Sequence, residues 1–152
     1  MEINNDFRFQ VIEGIPNSNE LEILLSLYKA IFEDARPEFF KQRINEKENV
    51  VSIFAFYNQK PIGFKVGYKY NKNTMYSWLG GVLKKYRKQG VAIQLAKLQE
   101  NWAKQNNYSK LRTKSMNRFK SMIILNLKNN FDIKKVYSNE NGQTKIIFEK
   151  NI

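Results

Sequence analysis

The 152-residue chain has no cysteine and no histidine. Their absence removes thiolate nucleophiles, disulfides, Cys/His zinc sites, Ser-His triads and every imidazole acid or base. No metal is expected. What remains is proton transfer by carboxylate or tyrosine, hydrogen bonding by the backbone, or a reaction in which one substrate is itself the nucleophile. Long apolar runs are missing as well: no stretch approaches the ~20 residues that cross a bilayer, and the opening "MEINNDFRFQ" has neither a basic nor an apolar leader segment. No membrane partner is expected, and the cytoplasm is the expected compartment. With no repeat and no low-complexity linker, the length and the 42% hydrophobic content predict one domain over residues 1–152.

Acidic residues are scarce in one half only. Lys84 to Ile152 holds 16 Lys+Arg against 4 Asp+Glu, so the entire net charge of +12 lies there, while Met1 to Leu83 balances ten against ten. Such an excess suits a phosphate-bearing ligand or a solvated lysine-rich surface.

Along the chain, "FRFQVI" alternates as a strand and "EGIPNSN" turns. Asn17 with Glu20 forms a capping pair, and Leu21, Leu24, Leu25 and Tyr28 follow at helical spacing toward an end near Asp34. Pro37 opens a second helix to about Glu46. "VVSIFAFY", "IGFKVGYKY" and "TMYSWLGGVL" read as three consecutive strands of an antiparallel meander; within the third, Gly80-Gly81 marks a bulge or the close approach of another group. Gln89 to Asn106 is a helix with Val91, Leu95, Leu98 and Trp102 on one face. "SKLRTKSM" is a strand, Asn117 to Lys128 a helix, and "DIKKVYS" with "TKIIFEK" a closing hairpin. The passage from Tyr76 through Met116 requires a parallel strand pair joined by a crossover helix.

The charge excess begins at "VLKKYRKQGVAIQL", residues 82–95, where cations give way at Gly90 to the start of a helix. A helix N-terminus carries free N–H groups and the positive end of the macrodipole, and glycine lets an anion approach the backbone. Arg87, Lys88, Gln89, Gly90, Val91 and Ala92 are therefore candidates to hold a pyrophosphate. This stretch resembles the Q/R-x-x-G-x-G/A signature of the GCN5-related N-acetyltransferase (GNAT) superfamily, with Arg87, Gly90 and Ala92 on the signature positions and Lys84 where proline is frequent. Downstream, "NRFKSMIILNLKNNF" is similar to the end of that family's fifth strand and the following helix, with Asn130-Phe131 in place of the frequent Gly-Phe.

The resemblance implies an α/β (α+β) fold: a mixed, mostly antiparallel sheet of about seven strands flanked by about four helices, with strands 4 and 5 parallel and splayed. It implies an acyl-CoA-dependent N-acetyltransferase that moves acetyl from acetyl-CoA, as cosubstrate, to an amine by direct attack in a ternary complex. Backbone near Val82 and Leu83 would bind the pantetheine arm and polarise the thioester, and Asn117 would meet a pantetheine amide or cap the next helix. Many relatives carry a tyrosine that protonates the departing thiolate; Asn126 stands at that position here and cannot serve as a phenol does. Tyr76 and Tyr137 are alternative acids or packing residues. Glu33 and Asp34 are candidate bases or solvated helix-end acids, and Phe39 and Phe40 either line the acceptor site or fill the core. The expected acceptor is an amine-bearing small molecule or peptide, and a homodimer is open. Two further readings remain: a noncatalytic acyl-CoA-binding sensor on the same fold, and, less favoured, a basic nucleic-acid-binding protein, for which no recognition motif is visible.

Overall fold

The computed structural model describes residues 6–152. Its elements, in chain order, are β1 (Phe7–Glu13), α1 (Ser18–Ile31), α2 (Pro37–Glu46), β2 (Val51–Tyr57), β3 (Lys60–Lys69), β4 (Thr74–Val82), a 3-10 turn (Lys84–Tyr86), α3 (Val91–Gln105), β5 (Lys110–Met116), α4 (Lys120–Lys128), β6 (Asp132–Ser138) and β7 (Thr144–Asn151). They form one seven-stranded sheet in the order β1-β2-β3-β4-β5-β7-β6, antiparallel except for β4 and β5, which run parallel. This is the mixed sheet with four helices that the strand and helix patterns imply.

The local rules act as expected at α1. Asn17 Oδ1 accepts from the Glu20 N–H at 2.8 Å while Glu20 Oε1 accepts from the Asn17 N–H at 2.9 Å, a complete capping box. The helix ends at Ile31, three residues before the expected Asp34, because Phe32 is already extended (φ −108°, ψ 119°). Pro37 opens α2, where its missing N–H costs nothing. α4 begins at Lys120 and not at Asn117, whose N–H is held by the Thr144 carbonyl at 2.9 Å. Asn117 therefore does not cap α4; Phe119 occupies the cap position, with no side-chain hydrogen bond.

α1 and α2 cover one face of the meander, burying Leu24, Phe40, Ile44, Phe54, Phe64 and Val66. α3 covers the other, over Ile53, Ala55, Ile62, Met75 and Leu111. Buried on α3 are Val91, Leu95, Gln99, Trp102 and Ala103. The stripe thus runs through Gln99, while Leu98 is only half-buried. α3 can approach β3 closely because position 67 is glycine.

The glycine pair of β4 does not mark a bulge. Gly80 faces Lys65 and Gly81 faces Phe64 in regular register; the extra residue is Trp78, between Ser77 opposite Gly67 and Leu79 opposite Val66. Close approach is the correct reading of Gly81, where a Cβ would come 2.8 Å from Ile31 Cγ2 at the end of α1. At Gly80 the space of the missing side chain is taken by the Lys65 stem, whose Cγ lies 3.1 Å from the point a Cβ would occupy.

Candidate active site at the β4–β5 divergence

β4 and β5 pair over four positions, from Thr74 opposite Lys110 to Ser77 opposite Thr113, and then part. The Thr113 hydroxyl donates to the Ser77 carbonyl at 2.8 Å at the point of divergence. Beyond it β5 continues on β7 alone, and the β5 side of Trp78–Val82 has no partner strand.

Antiparallel geometry decides which groups face this gap. The Leu83 N–H donates to the Ile62 carbonyl at 2.8 Å, which makes Val82 and Gly63 a non-hydrogen-bonded pair. Val82 therefore turns its N–H and C=O away from β3, and so, two residues earlier, does Gly80. Leu83 is different: its carbonyl also accepts from the Tyr86 N–H at 2.9 Å, so both of its backbone groups are committed within the fold. The sequence marks Gly80-Gly81 as unusual in a strand, but only the register reveals that the Gly80 N–H faces the gap.

At the C-terminal end of the gap lies the basic turn. Arg87 Nε donates to the Val82 carbonyl at 2.9 Å, tying the turn to the strand end. Lys88 (φ 63°) and Gly90 (φ 83°) are both left-handed, and a Cβ on Gly90 would meet nothing within 4 Å. The concave turn leads into α3 with Gly90 at the cap, no side-chain cap and no acidic residue in the first turn. The Gly90 carbonyl accepts from the Gln94 N–H, so the N–H groups of Val91, Ala92 and Ile93 precede the first intrahelical bond. Lys84, Lys85, Arg87, Lys88 and Gln89 are exposed, and none of the four cations has a carboxylate partner among the described residues.

Four buried side-chain polar atoms have no hydrogen-bond partner among the described residues: Ser52 Oγ on β2, Gln99 Nε2 on α3 against Gly67, Ser115 Oγ on β5 beyond the divergence, and Asn126 Nδ2 on α4. A buried donor without an acceptor is costly and points to a ligand or water. Asn117 is exposed, its Oδ1 accepting from Lys120 Nζ at 2.8 Å.

Lys65 is half-buried on the α3 face beside Gly80, with no ion pair or hydrogen bond among the described residues; burial lowers its ammonium to about 8 from the usual 10.5.

On the opposite face, Tyr76 lies between Tyr68 and Tyr70, and its hydroxyl is raised to about 12, first by burial and then by the neighbouring Tyr68. Tyr137 is half-buried on β6 with Lys114 and Lys135 near its ring. Glu33 and Asp34 are exposed in the loop after α1, and Asp34 lies 4.0 Å from Arg118. Phe40 is core, whereas Phe39 is on the surface. The chemistry-bearing residues thus fall into two groups, backbone donors and cations at the β4–β5 divergence, and a separate aromatic basin across the sheet. Among the described residues no group of His, Cys, Asp or Glu could hold a metal, and no helix is long and apolar enough to cross a membrane.

Residues 21–121 match the family model described as the acetyltransferase (GNAT) family. The chain belongs to that family. GNAT proteins of known structure share the fold over nearly the whole chain. A GNAT family acetyltransferase from Elizabethkingia anophelis, with acetyl-CoA bound, is 22% identical, with a TM-score of 0.78 over 98% of this chain and 100% of the other. The ribosomal-protein-S18-alanine N-acetyltransferase of Escherichia coli is 14% identical, with a TM-score of 0.79 over 95% and 94%. Arabidopsis thaliana NAA60 in complex with acetyl-CoA is 19% identical, with a TM-score of 0.73 over 95% and 99%. Among curated proteins none matches the sequence significantly. In this GNAT chain the family match spans α1 through the first residues of α4, and so contains the divergence and the basic turn.

Proposed function

We propose that the protein is a single-domain N-acetyltransferase that moves acetyl from acetyl-CoA to an amine by direct attack in a ternary complex. The observation that carries this reading is the divergence of β4 and β5, which exposes the N–H groups of Gly80 and Val82 beside an uncapped helix start and four unpaired cations. The residues fit the cosubstrate in order. Arg87 to Ala92 receive the pyrophosphate through successive N–H groups and positive charge. Val82 and the strand edge pair with the pantetheine amides as a missing strand would, and Asn117, exposed just past β5, offers its side chain to a pantetheine amide.

In the reaction, the lone pair of a neutral amine attacks the thioester carbonyl carbon, a C–N bond forms, the C–S bond breaks with its electrons going to sulfur, and the proton shed by the new amide nitrogen passes to water. The Gly80 N–H supports the carbonyl oxygen as negative charge grows on it, a preorganised donor of the oxyanion-hole kind. Proximity supplies much of the remainder, which is why neither cysteine nor histidine is needed.

The departing thiolate gains no proton readily from Tyr76, whose hydroxyl burial raises to about 12. Tyr76 is a hydrogen-bond donor in this reading, not a general acid. Asn126 Nδ2 supplies a neutral hydrogen bond toward sulfur, and Lys65, beside Gly80 and near 8, supplies positive charge and a transferable proton. Lys65→Met, which keeps the stem and removes the ammonium, is expected to lower kcat by about tenfold to a hundredfold while the dissociation constant of acetyl-CoA stays within about threefold. Unchanged turnover would remove Lys65 from the reaction. Glu33 and Asp34, exposed in the loop after α1, serve in this reading only as negative charge that attracts an incoming ammonium.

The acetyltransferase reading is tested by an amine-acceptor screen with purified protein, monitoring release of free coenzyme A. Acetyl-CoA binding with no acetyl transfer to any amine would favour the noncatalytic sensor.

A further inference from the structure

The sheet face under α1 and α2 holds more positive charge than its packing requires. Arg43, half-buried on α2, lies 4.8 Å from the Phe39 ring and 5.4 Å from the Trp78 ring, and its Nη1 donates to the Tyr68 hydroxyl at 2.9 Å. Arg36 lies 4.7 Å from the same Phe39 ring. Neither guanidinium has a carboxylate partner among the described residues. Tyr76, next along β4 from this group, offers a hydroxyl that makes no hydrogen bond among those residues. Arg112 stacks at 4.7 Å over Tyr70, and the one carboxylate near it, Glu149, is already bound to it at 3.0 Å.

Two physical consequences follow from this arrangement. Aromatic faces attract cations, but here guanidinium groups already occupy them, so a second cation would meet like charge in a partly desolvated setting. A half-buried Arg without a counterion, next to a free hydroxyl donor, is complementary to a planar anion that can accept several N–H and O–H bonds at once. The basin is also near the reacting end of the cleft. Trp78 precedes Gly80 by two residues on one strand, about 7 Å.

Resting on the acetyl-transfer reading above, we propose that the acceptor is an amine that also carries a carboxylate, held by Arg43 with Tyr76 as second donor, and that polycationic amines are excluded. A free amino acid and an acidic peptide present the same chemistry to this basin. What separates them is whether the chain continues past the carboxylate, and both sources belong in the test.

The experiment compares acceptors with and without a carboxylate, each corrected for the fraction of neutral amine at the assay pH: glutamate with its dimethyl ester, and a tripeptide with an N-terminal free amine and a glutamate side chain with its glutamine counterpart. For at least one pair, kcat/KM is expected to be about tenfold or more higher for the carboxylate member, as for a hydrogen bond to a charged group. In Arg43→Gln that ratio should collapse to within about twofold, while Lys41→Gln, which removes the same charge from the Glu38-paired side of α2, should retain it. Acetyl-CoA titrations of both variants separate loss of fold from loss of acceptor recognition. The wild-type comparison needs no variant, and calorimetric binding of the same pairs to protein saturated with coenzyme A needs no turnover. Tighter binding of the carboxylate members without acetyl transfer would therefore uphold the basin and overturn the transferase reading. Equal kcat/KM and equal binding within both pairs, a ratio unchanged in Arg43→Gln, or preferred turnover of spermidine would overturn the proposal.

Discussion

Ala92→Glu is expected to weaken acetyl-CoA binding by about a hundredfold or more, whereas Lys104→Glu on the same helix should leave it within about threefold. Ala92 lies in the first turn of α3, just past the left-handed Gly90, where no side chain of the protein competes for the free N–H groups. A carboxylate there would satisfy those donors itself and repel the pyrophosphate. It also complements the helix dipole, by about 0.3–1 kcal/mol, which offsets the loss of the partly buried Ala92 methyl against the core, so the variant should still fold. Lys104 lies 12 residues further, about 18 Å along the axis. That is beyond the screening length of about 8 Å at physiological salt. Its change costs only a surface pair with Glu100 at 3.6 Å, worth less than about 1 kcal/mol. Calorimetric titration of acetyl-CoA into the two variants, both folded by circular dichroism, is decisive: comparable affinities would mean that the turn at Gly90 does not hold the phosphates.

A stability effect of similar clarity is expected at Gly67. A Cβ there would lie 2.7 Å from Gln99 Nε2, 2.8 Å from Met75 Cε and 2.9 Å from the Tyr76 carbonyl oxygen. The amide and the thioether can swing aside, but the carbonyl belongs to the neighbouring strand and cannot move alone. Gly67→Ala should therefore destabilise by about 2–3 kcal/mol, as overpacking does. For a chain of this size that lowers the melting temperature by about 5–10 °C. Gln99→Ala in the same background should restore part of the loss by relieving the movable contact. A thermal melt of Gly67→Ala that coincides with the wild type would show that α3 is not seated this closely on β3.

The fold was legible where the chain states its rules locally. Alternation at "FRFQVI", the Asn17–Glu20 box, Pro37, and the switch from cations to Gly90 each specify an element or its start, and their order implies the parallel pair. Boundaries were less legible: Phe32 turns extended while its N–H still closes the helix on the Tyr28 carbonyl, and Asn117 is held outside α4 by the Thr144 carbonyl, a tertiary hydrogen bond that no neighbouring residue announces. The misplaced bulge is instructive. Glycine at 80 and 81 looked like the irregular point, yet the irregular residue is Trp78, whose ring is wanted against Phe40 at 5.0 Å, and the glycines instead make room for Lys65 and Ile31. Of the site, the anion-binding turn could be read directly because its parts are adjacent in sequence. The Gly80 N–H could not, because its orientation follows from pairing with β3, and neither could the Arg43 basin, whose members come from α2, β3 and β4.

The alternation of β4 also has a consequence in time. Gly81 and Leu83 direct their amides into the sheet, while Gly80 and Val82 direct theirs into the cleft, so one strand should show two clocks in deuterated solvent. Without ligand, the first pair should exchange slowly, at the pace of the sheet's own opening, and the second pair orders of magnitude faster. Acetyl-CoA should bring Gly80 and Val82 down to the slow clock and leave Gly81 and Leu83 where they were. Residue-resolved exchange by NMR would then record the cosubstrate as the strand that β5 declines to supply, and uniform protection along β4 before ligand is added would show that the edge is not open.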